Sequence, residues 1–437
     1  MMLNEKFLKR MKEYLDDEYD AFIASYNDDN IRGLRVNPNY IDEDEFSNIA
    51  DFKHSKICGL ENAFVVEEDL KFGFHPLHHA GAFYLQDPSA MLPAYSINFS
   101  KDAKVLDLCA APGGKSTQIA VQIPNGELFA NEIDNKRAWA LYSNVERLGL
   151  SNVVISNNKP SDYLKNFKGY FDVILIDAPC SGEGMFRKYP ESQELWNEDN
   201  VKLCANRDKE IVDVANELLK DEGIIIYSTC TFAKEENEDI VSYLMDKYQY
   251  ETIPLKDELK QFVTKGFIDN TYRIYPHHHF GEGQFLAILK KNNPTVNNTK
   301  MNKYKNLPIE FDKFCKENLS KTPSNVILKS DELFSSATNA DLSTLKILNY
   351  GVKLGKIINK RFVPEHHFYK AFSSMFVNSV DINYNDTNIN RYLRGEELHL
   401  ETPNGYGVLL VNNIPLGGYK ASNNNLKNHY PKGLRNF

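Results

Sequence analysis

Two cysteines, Cys180 and Cys230, each end an apolar run inside a cluster of small residues: VILIDAPCSGEG over 173–184 and GIIIYSTCTF over 223–232. A third such place is VLDLCAAPGGKST over 105–117. Each reads as a buried strand that stops in a small-residue turn, and in an open α/β sheet the turns at the carboxyl ends of strands are where ligands bind. Two thiols and a carboxylate, Asp177, delivered to one sheet edge imply covalent chemistry. Cysteines in apolar sequence are mostly inert packing, which is the expectation for Cys58, Cys204 and Cys315. Cys180 and Cys230 differ because Pro179, Ser181, Thr229 and Thr231 flank them, and Asp177, otherwise a plain helix cap, shares its turn with a thiol.

The loop Cys109-Ala110-Ala111-Pro112-Gly113-Gly114-Lys115 resembles two phosphate loops and fits neither. A Walker A loop needs glycine where Cys109 stands, and GxGxxG is absent. What remains is a strand, a glycine pair and a helix start, suited to close backbone approach by a ligand with a bulky, non-phosphate body. Glu132 ends the next strand, with Asp134 just beyond, and an acid there can accept from both ribose hydroxyls of a nucleoside cofactor. The combination points to S-adenosyl-L-methionine, with a nicotinamide cofactor and an oxidoreductase as the alternative. A bare strand–helix turn without ligand leaves Lys115 and Glu132 on one edge unexplained.

With a sulfonium methyl donor, these residues suit one reaction. Carbon 5 of cytosine is a poor nucleophile until a thiolate adds to carbon 6, and a carboxyl group beside the ring nitrogen and amino group offsets the charge that develops. Either Cys180 or Cys230 could supply the thiolate on this reasoning. Arg187 and Lys188, directly after the first thiol turn, are candidates to hold phosphates beside a flipped base.

The elements that must position these groups alternate: strands at 104–108, 128–133, 153–156, 172–178, 223–229 and 284–291, and helices from about 115, over 135–148, over 200–220 and up to 248. Such alternation implies a parallel sheet with crossover helices. At 437 residues the chain exceeds one comfortable core. The Asn-rich run 292–306 reads as a linker, and dense turn signals after 380 imply a β-rich end. No apolar run approaches a membrane span, and the amphipathic start is not a signal peptide, so a cytoplasmic, reduced setting is expected. The six cysteines lack metal-ligand spacing, and the consecutive histidines 277–279 cannot all face one ion, so no metal is expected. A net charge of −9 speaks against nucleic acid only globally, because from 402 onward Lys420, Lys427, Lys432 and Arg435 meet no acid.

CAAPGGK (109–115), NEID (131–134), DAPCSGEGMFRK (177–188), STCTF…EEN (228–237), RGLRVN (32–37), HHAGAFYLQDPSAM (78–91) and FGEGQFLAILK (280–290) resemble the Sun/nucleolar-protein (NOP2/Sun-type) family of RNA cytosine-5 methyltransferases. Within it they are most similar to the bacterial type F that acts on small-subunit ribosomal RNA. RYLRGEEL, PLGGYK and KNHYPKGLR (391–435) are similar to that type's PUA-like RNA-binding domain. The resemblance implies a Rossmann-like α/β methyltransferase core over 73–291, an N-terminal α+β, RRM-like RNA-binding domain over 1–72, the linker at 292–306, a small mixed domain over 307–375 and the PUA-like domain over 376–437. It implies Cys230 as nucleophile, Cys180 as the residue that helps eject the product, Asp177 against base and methyl, Lys115 as site support and Glu132 on the ribose. The family's acid after the third strand is absent, since this chain reads ISNNKPSD there, and Asn157 or Asn158 is left to meet the adenine. The expected partner is 16S ribosomal RNA or the 30S subunit, with a monomeric enzyme; transfer RNA as substrate, or an assembly factor with an inactive core, are the alternatives.

Overall fold

The computed structural model describes residues 3–68, 70–279, 281–302 and 307–435. The last four residues of the expected linker, Phe280 of the FGEGQF motif and the extreme termini lie outside the described residues.

Seven strands make up most of a ten-stranded central sheet: β1 (Lys104–Asp107), β2 (Glu127–Asn131), β3 (Val153–Ser156), β4 (Phe171–Asp177), β5 (Leu219–Thr229), β6 (Thr271–Ile274) and β7 (Gln284–Lys290). They run in the order β6-β7-β5-β4-β1-β2-β3. The first five are parallel, as the alternation predicts, and β7 returns antiparallel to β5 with β6 antiparallel beyond it. Helices α1 (Gly114–Gln122), α2 (Asn135–Arg147), α3 (Glu198–Leu218) and α4 (Glu238–Tyr248) make the crossovers. Burial on both sheet faces explains why these strands read as unbroken apolar runs. Strand order reverses between β1 and β4, so the loops after them border the crevice where such sheets take ligands.

Tertiary structure adds three features. The segment Phe83–Leu85, expected within 73–291, pairs with Arg32–Val36 in a four-stranded antiparallel N-terminal sheet, so we propose a boundary near residue 88. The helices Glu5–Leu15 and Tyr19–Ala24 leave that sheet and pack Phe7, Met11 and Phe22 on Phe186, Trp196 and Phe232 beside the thiol turns. The strand Ile347–Asn349, expected in a separate domain, pairs antiparallel with β3 and covers that sheet edge. The Asn-rich run is anchored rather than free: the Asn297 amide donates to Gly169 O at 3.0 Å, and Lys168 N donates to Asn298 at 2.8 Å.

The C-terminal five-stranded sheet, with Gly405–Val411 and Ile414–Ser422 at its centre, shares one apolar core with the N-terminal sheet. Leu34, Val36, Phe64 and Phe83 meet Tyr392, Leu409, Leu416 and Tyr419 there. Lys370 crosses this junction fully buried, its ammonium donating to Ala80 O and Pro415 O while Tyr40 donates to its carbonyl at 2.9 Å. Leu409→Ala should therefore cost about 2–5 kcal/mol in urea unfolding and raise hydrogen exchange in Arg32–Val36 as well as in its own strand. Unchanged protection at Arg32–Val36 would mean the two sheets are stable independently.

Candidate active site

The carboxyl end of β1 enters the loop 109–115 through Asp107, whose buried carboxylate accepts from Ser116 Oγ at 2.6 Å and Cys109 N at 3.3 Å. Burial pushes its pKa up to about 7 and raises the Cys109 thiol as well. The loop carbonyls are held from outside. Arg137 donates to Ala111 O at 2.7 Å, Asn144 to Pro112 O at 3.0 Å, and Arg35 of the N-terminal sheet to Gly114 O at 3.2 Å and Thr117 Oγ1 at 2.9 Å. Ala110 N donates to Asn131 O at 2.9 Å. Gly113 has φ +113°, and a Cβ there would lie 2.9 Å from Leu141, so glycine is required. No side chain of Gly113 can cap the first turn of α1, so its backbone N–H groups are not capped from there.

Glu132 supplies the test of whether a nucleoside cofactor fits. It is buried, one carboxylate oxygen accepts from Asp134 N at 2.9 Å, and the other has no hydrogen-bond partner, with Arg137 NH1 no nearer than 3.5 Å. A buried carboxylate oxygen without a donor calls for one, and ribose hydroxyls are donors. The residues present fit S-adenosylmethionine.

Register between β4 and β5 places Asp177 opposite Ser228, and the thiols follow in the two turns. Cys180 Sγ and Cys230 Sγ lie 3.3 Å apart. Asp177 pairs with Lys115 Nζ at 2.8 Å and accepts from Ser228 Oγ at 2.8 Å. The neighbouring Cys230 thiol, and then burial, push the Cys180 thiol well above its ordinary range. Gly184 closes the floor: its N–H donates to Cys230 O at 2.9 Å, and a Cβ would come within 2.7 Å of Gly283. Two sulfurs, a paired carboxylate and an ammonium therefore share one crevice mouth beside the glycine loop.

Residues 94–290 match the family model of the 16S rRNA methyltransferases RsmB/F, 3–88 the N-terminal domain of 16S rRNA methyltransferase RsmF, 313–372 its first C-terminal domain and 379–436 its PUA domain. The chain is 30% identical over 98% of its length to 96% of the ribosomal RNA small subunit methyltransferase F of Shigella dysenteriae. The chain belongs to the ribosomal RNA small subunit methyltransferase F family. A methyltransferase homologue from Pyrococcus horikoshii is 26% identical, with 66% of this chain covered, 95% of that one and a TM-score of 0.57. NSun6 from the same organism, crystallised with the S-adenosylmethionine analogue SFG, has the same fold at 19% identity, with 66% and 98% covered and a TM-score of 0.59. Membership makes the chain an S-adenosylmethionine-dependent RNA methyltransferase with a PUA domain. No helix among the described residues is long and apolar enough to cross a membrane.

Against this family background the structure corrects two expectations. Arg187 does not face outward for phosphates: it is paired with Glu282 at 3.0 Å, both nearly fully buried, and donates to Ser25 O and Gly281 O. Asn157 and Asn158 are not free for the adenine. Asn158 exchanges hydrogen bonds with the backbone of Lys346, at 3.0 Å each way, while Asn157 donates to Glu132 O and accepts from Lys346 Nζ. Of the consecutive histidines, His277 and His278 both approach Glu18, at 3.5 Å.

Sequence reasoning missed Asp107, Ser228, Asp208, Glu236 and Asn237, all buried around the site. Four of them sat inside recognisable motifs, Asp107 in VLDLCAAPGGKST, Ser228 in STCTF, and Glu236 and Asn237 in EEN; Asp208, in the polar helix, carried no visible signal. Asp208 packs beside Glu236, Arg207 and Tyr227, with one oxygen unpartnered, and burial pushes its pKa up to about 8. The unfolded chain releases this proton near pH 4 (the ordinary aspartate pKa, about 3.9) while the folded chain keeps it to about pH 8, so stability falls as pH rises across that window. Asp208→Asn cannot ionise and should gain about 1–3 kcal/mol on the wild type between pH 5 and pH 8 in urea unfolding. Parallel stability curves would show Asp208 ionised throughout.

Proposed function

We propose that the chain methylates carbon 5 of a cytosine in small-subunit ribosomal RNA, in the cytoplasm, through a covalent adduct between Cys230 and carbon 6. The observation that supports this reading most is the pair of sulfurs 3.3 Å apart beside the Lys115–Asp177 pair, at the mouth of the glycine loop. Cys109, Ala110, Ala111, Pro112, Gly113, Gly114, Lys115, Glu132 and Asp177 would hold S-adenosylmethionine. That group supplies a methyl on a positively charged sulfur, which becomes a neutral thioether when the methyl leaves.

The residues of the chain account for the rest. Cys230 as thiolate adds to carbon 6; the S–C6 bond forms, and the electrons of the 5,6 double bond make carbon 5 nucleophilic toward the methyl group. Asp177, fixed by Lys115 and Ser228, meets the ring nitrogen and amino group and stabilises the charge gathering there. Cys180 is held as a thiol mainly by its neighbour Cys230, and consuming Cys230 in the adduct removes that restraint. Cys180 then gives its proton to solvent and, as thiolate, takes the proton from carbon 5. The electron pair restores the double bond, the C6–S bond breaks and Cys230 returns as thiolate, with one proton released per turnover.

Purified protein, tritiated S-adenosylmethionine and small subunits from a strain lacking the gene should yield labelled 5-methylcytosine in 16S RNA. Label in transfer RNA alone would move the substrate, and no label in any RNA would sink the reading. Cys230→Ala should reduce turnover to background, whereas Cys180→Ala should leave protein bound to RNA through denaturing electrophoresis. The reverse pattern would exchange the two roles.

A further inference from the structure

The two thiol turns belong to different loops, one after β4 and one after β5. Both are held by two successive, fully buried residues, Glu236 and Asn237, which follow Cys230 in the same connection and stand at the entry to α4. Glu236 puts both carboxylate oxygens on the residue after Cys180. It accepts from Ser181 N at 2.8 Å and from Ser181 Oγ at 2.5 Å. Asn237 takes the residues on either side of Cys230, accepting from Thr229 Oγ1 at 2.6 Å and donating to Thr231 O at 3.0 Å. The turns are also tied directly to each other, by the Ser181 and Thr231 hydroxyls at 2.9 Å and by Gly184 N–H donating to Cys230 O at 2.9 Å.

These are different chemical tasks. The Cys180 turn exposes a backbone N–H and a hydroxyl, both donors, so it needs an acceptor with two oxygens. The Cys230 turn offers one donor and one carbonyl, so it needs a group that accepts and donates, which is an amide. The sequence supplies a carboxylate followed by an amide, and the peptide between them fixes their separation. Tyr227, on β5 itself, donates to Glu236 O at 2.6 Å and locks that peptide to the sheet.

We propose that Glu236 and Asn237 are positioning residues that divide the reaction between them, Glu236 setting Cys180 for release of the adduct and Asn237 setting Cys230 for attack. The inference rests on the roles assigned above to the two cysteines. It follows that the two substitutions slow different steps, which general loosening of the loop would not produce.

The test uses the full-length protein with the same small subunits and tritiated S-adenosylmethionine, following adduct by denaturing gel in single turnover and methylated product in multiple turnover. Glu236→Ala should form adduct within threefold of the wild-type rate but accumulate it at least tenfold and slow multiple turnover at least tenfold. Glu236→Gln, which can still accept from Ser181 N, should recover most of that loss. Asn237→Ala should slow adduct formation at least tenfold without accumulation. S-adenosylhomocysteine affinity within threefold of wild type shows that the fold survives. Where either variant does not fold, Ser181→Ala takes one bond from the Glu236 set together with the hydroxyl tie to Thr231, and Thr229→Val takes one from the Asn237 set together with the acceptor of Thr231 N; both should show the same split at smaller size. Both substitutions slowing one and the same step, or Glu236→Ala releasing product at the wild-type rate, would overturn the proposal. Cys180→Ala separates the failures: if it does not trap adduct, the cysteine roles fall and the proposal with them; if it traps while Glu236→Ala does not, only the positioning role falls.

Discussion

The pairing of β4 with β5 is the constraint from which the rest of the site follows. These strands run parallel with Asp177 opposite Ser228, and each then turns within three residues to present a cysteine. A slip of one residue would send every side chain of a strand to the opposite face. Both faces of this sheet are packed with apolar side chains, so a slip would break the close packing on both sides at once. The ladder therefore brings the two turns side by side, and Glu236 and Asn237 complete the placement of the sulfurs beyond its end.

Around that sheet, cations brought by distant segments hold the loops. Arg10 from the first helix pairs with buried Glu183 at 2.5 Å, Arg187 with buried Glu282 at 3.0 Å, and Arg35 reaches the back of the glycine loop. Breaking such a buried pair costs about 3–5 kcal/mol because the surviving charge stays in a dry setting. These contacts make the N-terminal helices and sheet part of the site's scaffold rather than an independent attachment. The shared core with the C-terminal sheet extends this packing to the PUA unit. A net charge of −9 is compatible with an RNA substrate because charge acts locally, and the PUA sheet carries Lys420 and Lys427 in a stretch with no Asp or Glu after residue 402.

Burial also places several carboxyls near neutrality. Asp107 and Glu236 are both pushed up to about 7, and Asp208 to about 8. Each of the three is shifted by burial before any other cause, so the packing that builds the crevice also sets the charge of the acids around it.

Local order determined much of this protein. Strand-stop-turn patterns at 105–117, 173–184 and 223–232 were legible because fully buried parallel strands must be apolar and their ligand-facing turns must be small. The thiols, Asp177, Lys115 and Glu132 stood out for the same reason. Partnership was not legible, since it depends on which surfaces meet. Nothing near Arg187 in the chain announces Glu282, and nothing near Asn157 announces Lys346. Phe83–Leu85 and Ile347–Asn349 are three-residue strands whose allegiance comes entirely from the edge they complete. Residue types and spacing therefore decided what chemistry the chain carries. Only the packed structure decided which donor each buried acceptor meets, because that pairing is settled by distance in space and not along the chain.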